Sequence, residues 1–151
     1  MELTRNKTIA IILASVAVGS VVGSLITYTW LSATVRISNT AQIKSVGVSV
    51  FKNGECTIEL TMIDWGFLEP GETKNSLAYL KSTSNVPINV TMVTESWIPA
   101  NATTFIGCSW NAEGRQISPE GIIPVNFTLT VDKATKGLKS FSFTIAITGS
   151  G

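Results

Sequence analysis

The sequence predicts an all-β domain of two antiparallel sheets packed face to face, preceded by one N-terminal hydrophobic helix. Three observations predict it. Residues 9–31 carry no charge and no proline. From Ile43 onward apolar and polar residues alternate with period two, the spacing of a half-buried strand. Turn residues punctuate that alternation at Asn53-Gly54, Pro70-Gly71 and Asn85-Val86-Pro87.

The uncharged run is long enough to span a membrane. As a helix its 23 residues extend about 34 Å, against a hydrocarbon core of about 30 Å. A positive leader, residues 1–8, contributes Arg5 and Lys7, and Tyr28 and Trp30 lie near the far end, where aromatic rings suit the interface. Two states fit: an uncleaved anchor with a cytoplasmic N-terminus, or a secretory signal cut near Leu31-Ser32-Ala33. A signal's apolar core is about 7–15 residues, so the length favours the anchor. In both states the remaining chain is exported. Ser15, Gly19 and Gly23, four apart, are candidates for close helix packing, although small residues are common in any such helix.

Residues 32–42 read as a linker or first strand and 43–151 as the folded domain. Val46, Val48 and Val50 share one face, then Cys56, Ile58, Leu60 and Met62 share another. Ser76 to Ser82 is a strand with a fainter pattern. Ile88, Val90 and Met92 follow, then Ile106, Cys108 and Trp110. Val125 to Val131 and Phe141 to Ile147 close the series. About seven half-buried strands in roughly 100 residues describe an immunoglobulin-like antiparallel sandwich. Trp97 to Ala102 reads as a connection with room for one helical turn. The outward positions carry Ser, Thr and Asn rather than Lys and Glu.

Composition narrows the chemistry. The 151 residues hold 11 Lys plus Arg and 10 Asp plus Glu, a net charge of +1. Only 14% of residues are charged, against about 25% in average soluble proteins. The mean hydropathy of +0.32 owes much to residues 9–31. A near-neutral chain makes a poor nucleic-acid binder. The absence of histidine rules out Ser–His and Cys–His nucleophile pairs and His-ligated metals. No catalytic set, metal site or cofactor is implied. Asp64, Glu69, Glu72 and Glu95 are the carboxylates worth weighing, and they read as solvated turns beside Lys74.

Other residues bear on compartment and binding. Asn89, Asn101 and Asn126 each begin an N-glycosylation sequon downstream of the hydrophobic run; Asn6 begins another on the leader side. Cys56 and Cys108 both fall on the apolar parity of expected strands. They are disulfide candidates in an exported domain, with two separate thiols as the alternative. Trp65 and Trp97 are candidates for a sugar or ligand platform, although such rings more often pack in the core.

From Ser38 onward the chain resembles a family of archaeal exported or membrane-anchored β-sandwich proteins of mostly unknown function. The residues that carry this likeness include Ile37-Ser38-Asn39-Thr40, Ile63-Asp64-Trp65-Gly66, Trp97-Ile98-Pro99, Cys108-Ser109-Trp110 and Phe141-Ser142-Phe143-Thr144-Ile145. In layout alone the chain is similar to the TasA/camelysin-like class, with its archaeal bundling pilin relatives. That similarity implies assembly through a donated N-terminal strand. Thr34 to Phe51 is long enough for two strands, or for one strand plus a donated arm; pairing within its own subunit is the simpler expectation.

The expected function is therefore that of a non-enzymatic cell-surface structural or adhesive protein. Its expected partners are the membrane through residues 9–31, further copies of itself as an oligomer or filament, and surface glycans, with no nucleic acid. Two alternatives stand beside it: a type IV pilin-like subunit, for which Lys7-Thr8-Ile9 is a poor processing site, and a carbohydrate- or ligand-binding module.

Overall fold

The computed structural model describes residues 37–151, and the chain divides after Thr34. The leader, the hydrophobic run and Ser15, Gly19 and Gly23 lie outside the described residues. No helix among the described residues is long and apolar enough to cross a membrane.

The described residues are all-β. They form nine strands: β1 (Ile37–Val46), β2 (Val48–Phe51), β3 (Met62–Leu68), β4 (Thr73–Ser82), β5 (Ile88–Ile98), β6 (Ile106–Trp110), β7 (Gln116–Ile117), β8 (Ile122–Val131) and β9 (Ser140–Ser150). One sheet has the order β3-β1-β9-β5-β7 and the other β2-β4-β8-β6. Every pairing is antiparallel except β1 with β9, which run parallel from Ser38–Ser140 to Val46–Thr148. The expectation of purely antiparallel sheets is thus corrected. The chain switches sheets between β1 and β2 at Gly47, whose φ of +74° suits a residue without a Cβ.

Both inner faces follow the predicted alternation. Val48, Val50, Ala78, Leu80, Val125, Phe127, Leu129 and Val131 face inward from one sheet. Ile37, Ala41, Ile63, Trp65, Val90, Phe141, Phe143, Ile145 and Ile147 face inward from the other, and all belong to a single hydrophobic core. At about 25 cal/mol per Å² of apolar surface, this shared core is the main stabilising term.

Three segments depart from the sequence reading. Residues 56–61 are not a continuous strand. Asn53 accepts hydrogen bonds at Oδ1 from Thr57 and Ile58 N–H, and Cys56 takes φ +52°. A turn held by this side chain overrides the alternation. The stretch that reads as a turn after Ile63 is instead β3, hidden because a bulge near Gly66 (φ +65°) breaks its period. Finally, β5 continues through Trp97 to Ile98, and a 3-10 turn follows at Ala100–Thr104.

Candidate interaction surface

The sequence-derived candidates occupy separate places. Trp65 is 4% exposed and lies in the core. Trp97 is half-buried, with its ring on Phe143 at 4.2 Å and nearly parallel to it. Burial leaves Trp65 no free face for a sugar, which corrects its assignment to a platform, while Trp97 stacks one face on Phe143 and stays partly exposed. Both rings pack because their positions in β3 and β5 face inward.

Cys56 and Cys108 are free, so the expected bridge is not formed. Cys56 sits in the Asn53 turn rather than on an inward strand position, and its Sγ lies 3.8 Å from the Gly54 carbonyl. Cys108 does face inward from β6. Burial pushes its thiol up from 9.0 to about 12, because a desolvated thiolate is costly.

Asn89 and Asn101 are exposed and Asn126 is half-buried on an outer face. The neighbouring sequon hydroxyls are engaged in two cases. Thr103 donates to the Ala100 carbonyl, and Thr128 donates to Asn75 Oδ1.

The carboxylates are held locally. Asp64 Oδ1 accepts from Gly66 N–H at 2.8 Å, and Glu72 Oε2 accepts from Glu69 N–H at 2.7 Å. Glu72 Oε1 also lies 3.7 Å from Lys74 Nζ. Among the described residues no three His, Cys, Asp or Glu side chains group as metal ligands.

What the fold brings together instead are outer faces and sheet edges. The outer face of the five-stranded sheet is rich in hydroxyls. Thr40 pairs with Ser142, Ser38 with Ser140 and Thr91 with Thr148 across neighbouring strands. An open groove of about 510 Å³ crosses this face, where Ser38, Thr40, Asp64, Ser140 and Ser142 meet Ile98. Both outer faces also expose large apolar residues: Met62, Phe67, Val93 and Ile98 on the five-stranded sheet, Leu77 and Ile122 on the four-stranded one. Phe51 pairs with Tyr79, Tyr79 with Pro124, and the exposed Leu77 and Ile122 flank them. No positional cue separates this strip from core positions of the same residue types; only the strand parity of β4 and β8 does.

Four strand edges leave backbone groups pointing outward, and three of them, β3, β2 and the β5–β7 side, are partly covered. Lys74 reaches from β4 and donates to the carbonyls of Trp65 (3.0 Å) and Phe67 (2.6 Å), placing a charge along β3. The chain beyond β2 folds back, with Lys52 N–H on the Ile58 carbonyl and Leu60 N–H on the Val50 carbonyl, both at 2.8 Å. Beside β5, Gly114 and Arg115 bond Val90. There Glu113 Oε2 accepts from Met92 N–H and from Trp110 Nε1.

The fourth edge, β6, is different. The Phe105 carbonyl accepts from Asp132 N–H, and Asn111 N–H donates to the Asn126 carbonyl, so odd-numbered residues point toward β8. With alternation of two, the N–H and C=O groups of Ile106, Cys108 and Trp110 point away from it. No hydrogen bond covers them among the described residues. Gly107 and Ser109 are exposed on the outer face, and a Cβ at Gly107 would meet nothing within 4 Å.

No family model and no curated protein matches the chain. The functional reading therefore rests on the chain's own residues and geometry.

Proposed function

We propose that this chain is a non-enzymatic structural or adhesive protein of the cell surface, working by self-association. In this reading residues 9–31 anchor it, or direct its export before removal. An immunoglobulin-like sandwich then stands outside the cell, carrying glycans at Asn89, Asn101 or Asn126. The likeness to exported archaeal sandwich proteins and to TasA-like layouts supports the compartment.

The observation that carries self-association is the strip of Phe51, Tyr79, Leu77, Pro124 and Ile122 on the outer face of the four-stranded sheet. Leu77 is 58% exposed and Ile122 is 45% exposed. A contiguous apolar outer strip marks a surface that meets another molecule. Lys81, held 3.4 Å from Glu120, is the charge beside it.

Electron microscopy of native material and chemical crosslinking of the full chain at high concentration test the proposal. Oligomers or filaments are expected. A strictly monomeric chain that binds no surface component sinks it. N-terminal sequencing separates the states: a start at Met1 means an anchor, one near Ala33 means secretion, and one near Thr8 means a pilin-like subunit.

A further inference from the structure

We infer that the edge of β6 is where two copies of this chain join, antiparallel and centred on Cys108. This deepens the self-association reading and rests on it. Three features of the strand carry the inference.

The first is the hydrogen-bonding inventory. Ile106, Cys108 and Trp110 direct both backbone groups outward with no cover at any of the three, while the other edges each carry a lysine, a returning chain segment or a carboxylate over part of their length. An uncovered edge is a ready template for another strand. Centring the pair on Cys108 sets Ile106 opposite the partner's Trp110 and Cys108 opposite the partner's Cys108. All three outward residues then fall in hydrogen-bonded pairs.

The second feature is charge. In a two-fold contact every residue meets the same surface again, so any charge near the axis meets its own sign. Residues 106–110 are Ile-Gly-Cys-Ser-Trp and carry none. The edges of β3 and β2 carry Lys74 or the Lys52 and Glu59 pair, and so suit a second copy less well; Glu113, bonded to Trp110 Nε1 at 2.7 Å, stands at the end of β6 and not at the axis residue Cys108.

The third feature is shape. On the inner face the apolar Ile106 meets the partner's Trp110. On the outer face Gly107 meets the partner's Ser109, two small side chains that let the strands approach. The two four-stranded sheets thereby become one continuous sheet across the axis.

Two double variants with similar added bulk test this register. In G107K/S109K, the ammonium introduced at position 107 lies opposite a second ammonium, at position 109 of the other copy. In G107K/S109E, it lies opposite a carboxylate. Sedimentation of the full chain in detergent reads the dimer constant, and thermal unfolding confirms that each variant is folded. The like-charged variant is expected to weaken dimerisation about tenfold and the mixed variant to retain it, since opposed cross-strand charges differ by this order.

Mild oxidation of a Cys56→Ser background gives a second readout. A covalent dimer through Cys108 is expected, because paired Cα atoms about 5.5 Å apart fall within disulfide range. Wild-type association that both double variants leave unchanged overturns the edge assignment while self-association stands. A wild-type chain that is monomeric at every concentration overturns both. Crosslinks from Cys108 to any segment outside residues 106–110 also overturn the pairing.

Discussion

The two sheets bury the same kind of inner face and differ in how their outer positions are arranged. The five-stranded sheet turns paired Ser and Thr outward at its centre and scatters Met62, Phe67, Val93 and Ile98 around them, whereas the four-stranded sheet groups Leu77, Tyr79, Pro124 and Ile122 in one strip. Their edges differ too. Lys74 covers β3 with a charge, and β6 has neutral residues with outward backbone groups. Core packing constrains one parity of each strand and leaves the other free. The difference between the sheets therefore lies in positions that folding does not dictate, and those positions are where an interaction surface can be built.

The largest expected effect tests what the sheets share. Phe127→Ala removes a fully buried ring that stacks 6.0 Å from Trp110. It should cost about 3–5 kcal/mol in urea unfolding. Because one core serves both sheets, near-UV signals from Trp97 and Trp110 should be lost in a single transition. Separate transitions would break the picture of a common core.

A smaller effect tests the edges. Lys74→Ala frees two carbonyls of β3 and removes its charge. It should lower stability by about 1–2 kcal/mol, as for hydrogen bonds to a half-exposed ammonium. Light scattering should also show new concentration-dependent association, because the edge loses its guard.

Next comes pH. The Cys108 thiol is raised from 9.0 to about 12 in the folded chain. Between those values the unfolded chain releases a proton that the folded chain keeps, so stability falls as pH rises from 9 toward 12. Unfolding midpoints measured across that range should decline less steeply in Cys108→Ala. At about pH 7, where both states hold the proton, no linkage term remains. The smallest effect belongs to the outer strip: Leu77→Ser should change unfolding by no more than about 0.5 kcal/mol. It should nevertheless reduce crosslinked oligomers. A loss of stability comparable to that of Phe127→Ala would mean that Leu77 belongs to the core.

Strand positions are legible wherever the inner face carries large apolar residues at every second place, as in β8 and β9. They are obscured where it does not. In β1 the inward residues include Asn39 and Ala41, so Ser38 to Gln42 reads as a polar stretch. In β3 the bulge at Gly66 shifts parity midway, and in β7 two residues are too few for any period. Residues 56–61 show the converse. Their alternation is real, but the Asn53 side chain captures the backbone groups a strand would use. The cysteines and tryptophans are visible as residues, but their environments depend on which strands become neighbours. The open edge of β6 is not legible, because being an edge is a property of sheet order and not of local sequence.

The parallel pairing of β1 with β9 has a mechanical consequence. The two strands share register from Ser38–Ser140 to Val46–Thr148. The start of β1 and the end of β9 therefore lie at opposite ends of the ladder, about 30 Å apart. Tension applied at these two points runs along the strands and loads the whole ladder in shear. Its hydrogen bonds share the force together instead of opening one by one like a zipper. Resistance to forced unfolding is set by the rate of crossing that barrier, so this one connection makes the domain resistant to tension along the line joining Ile37 to Ser150.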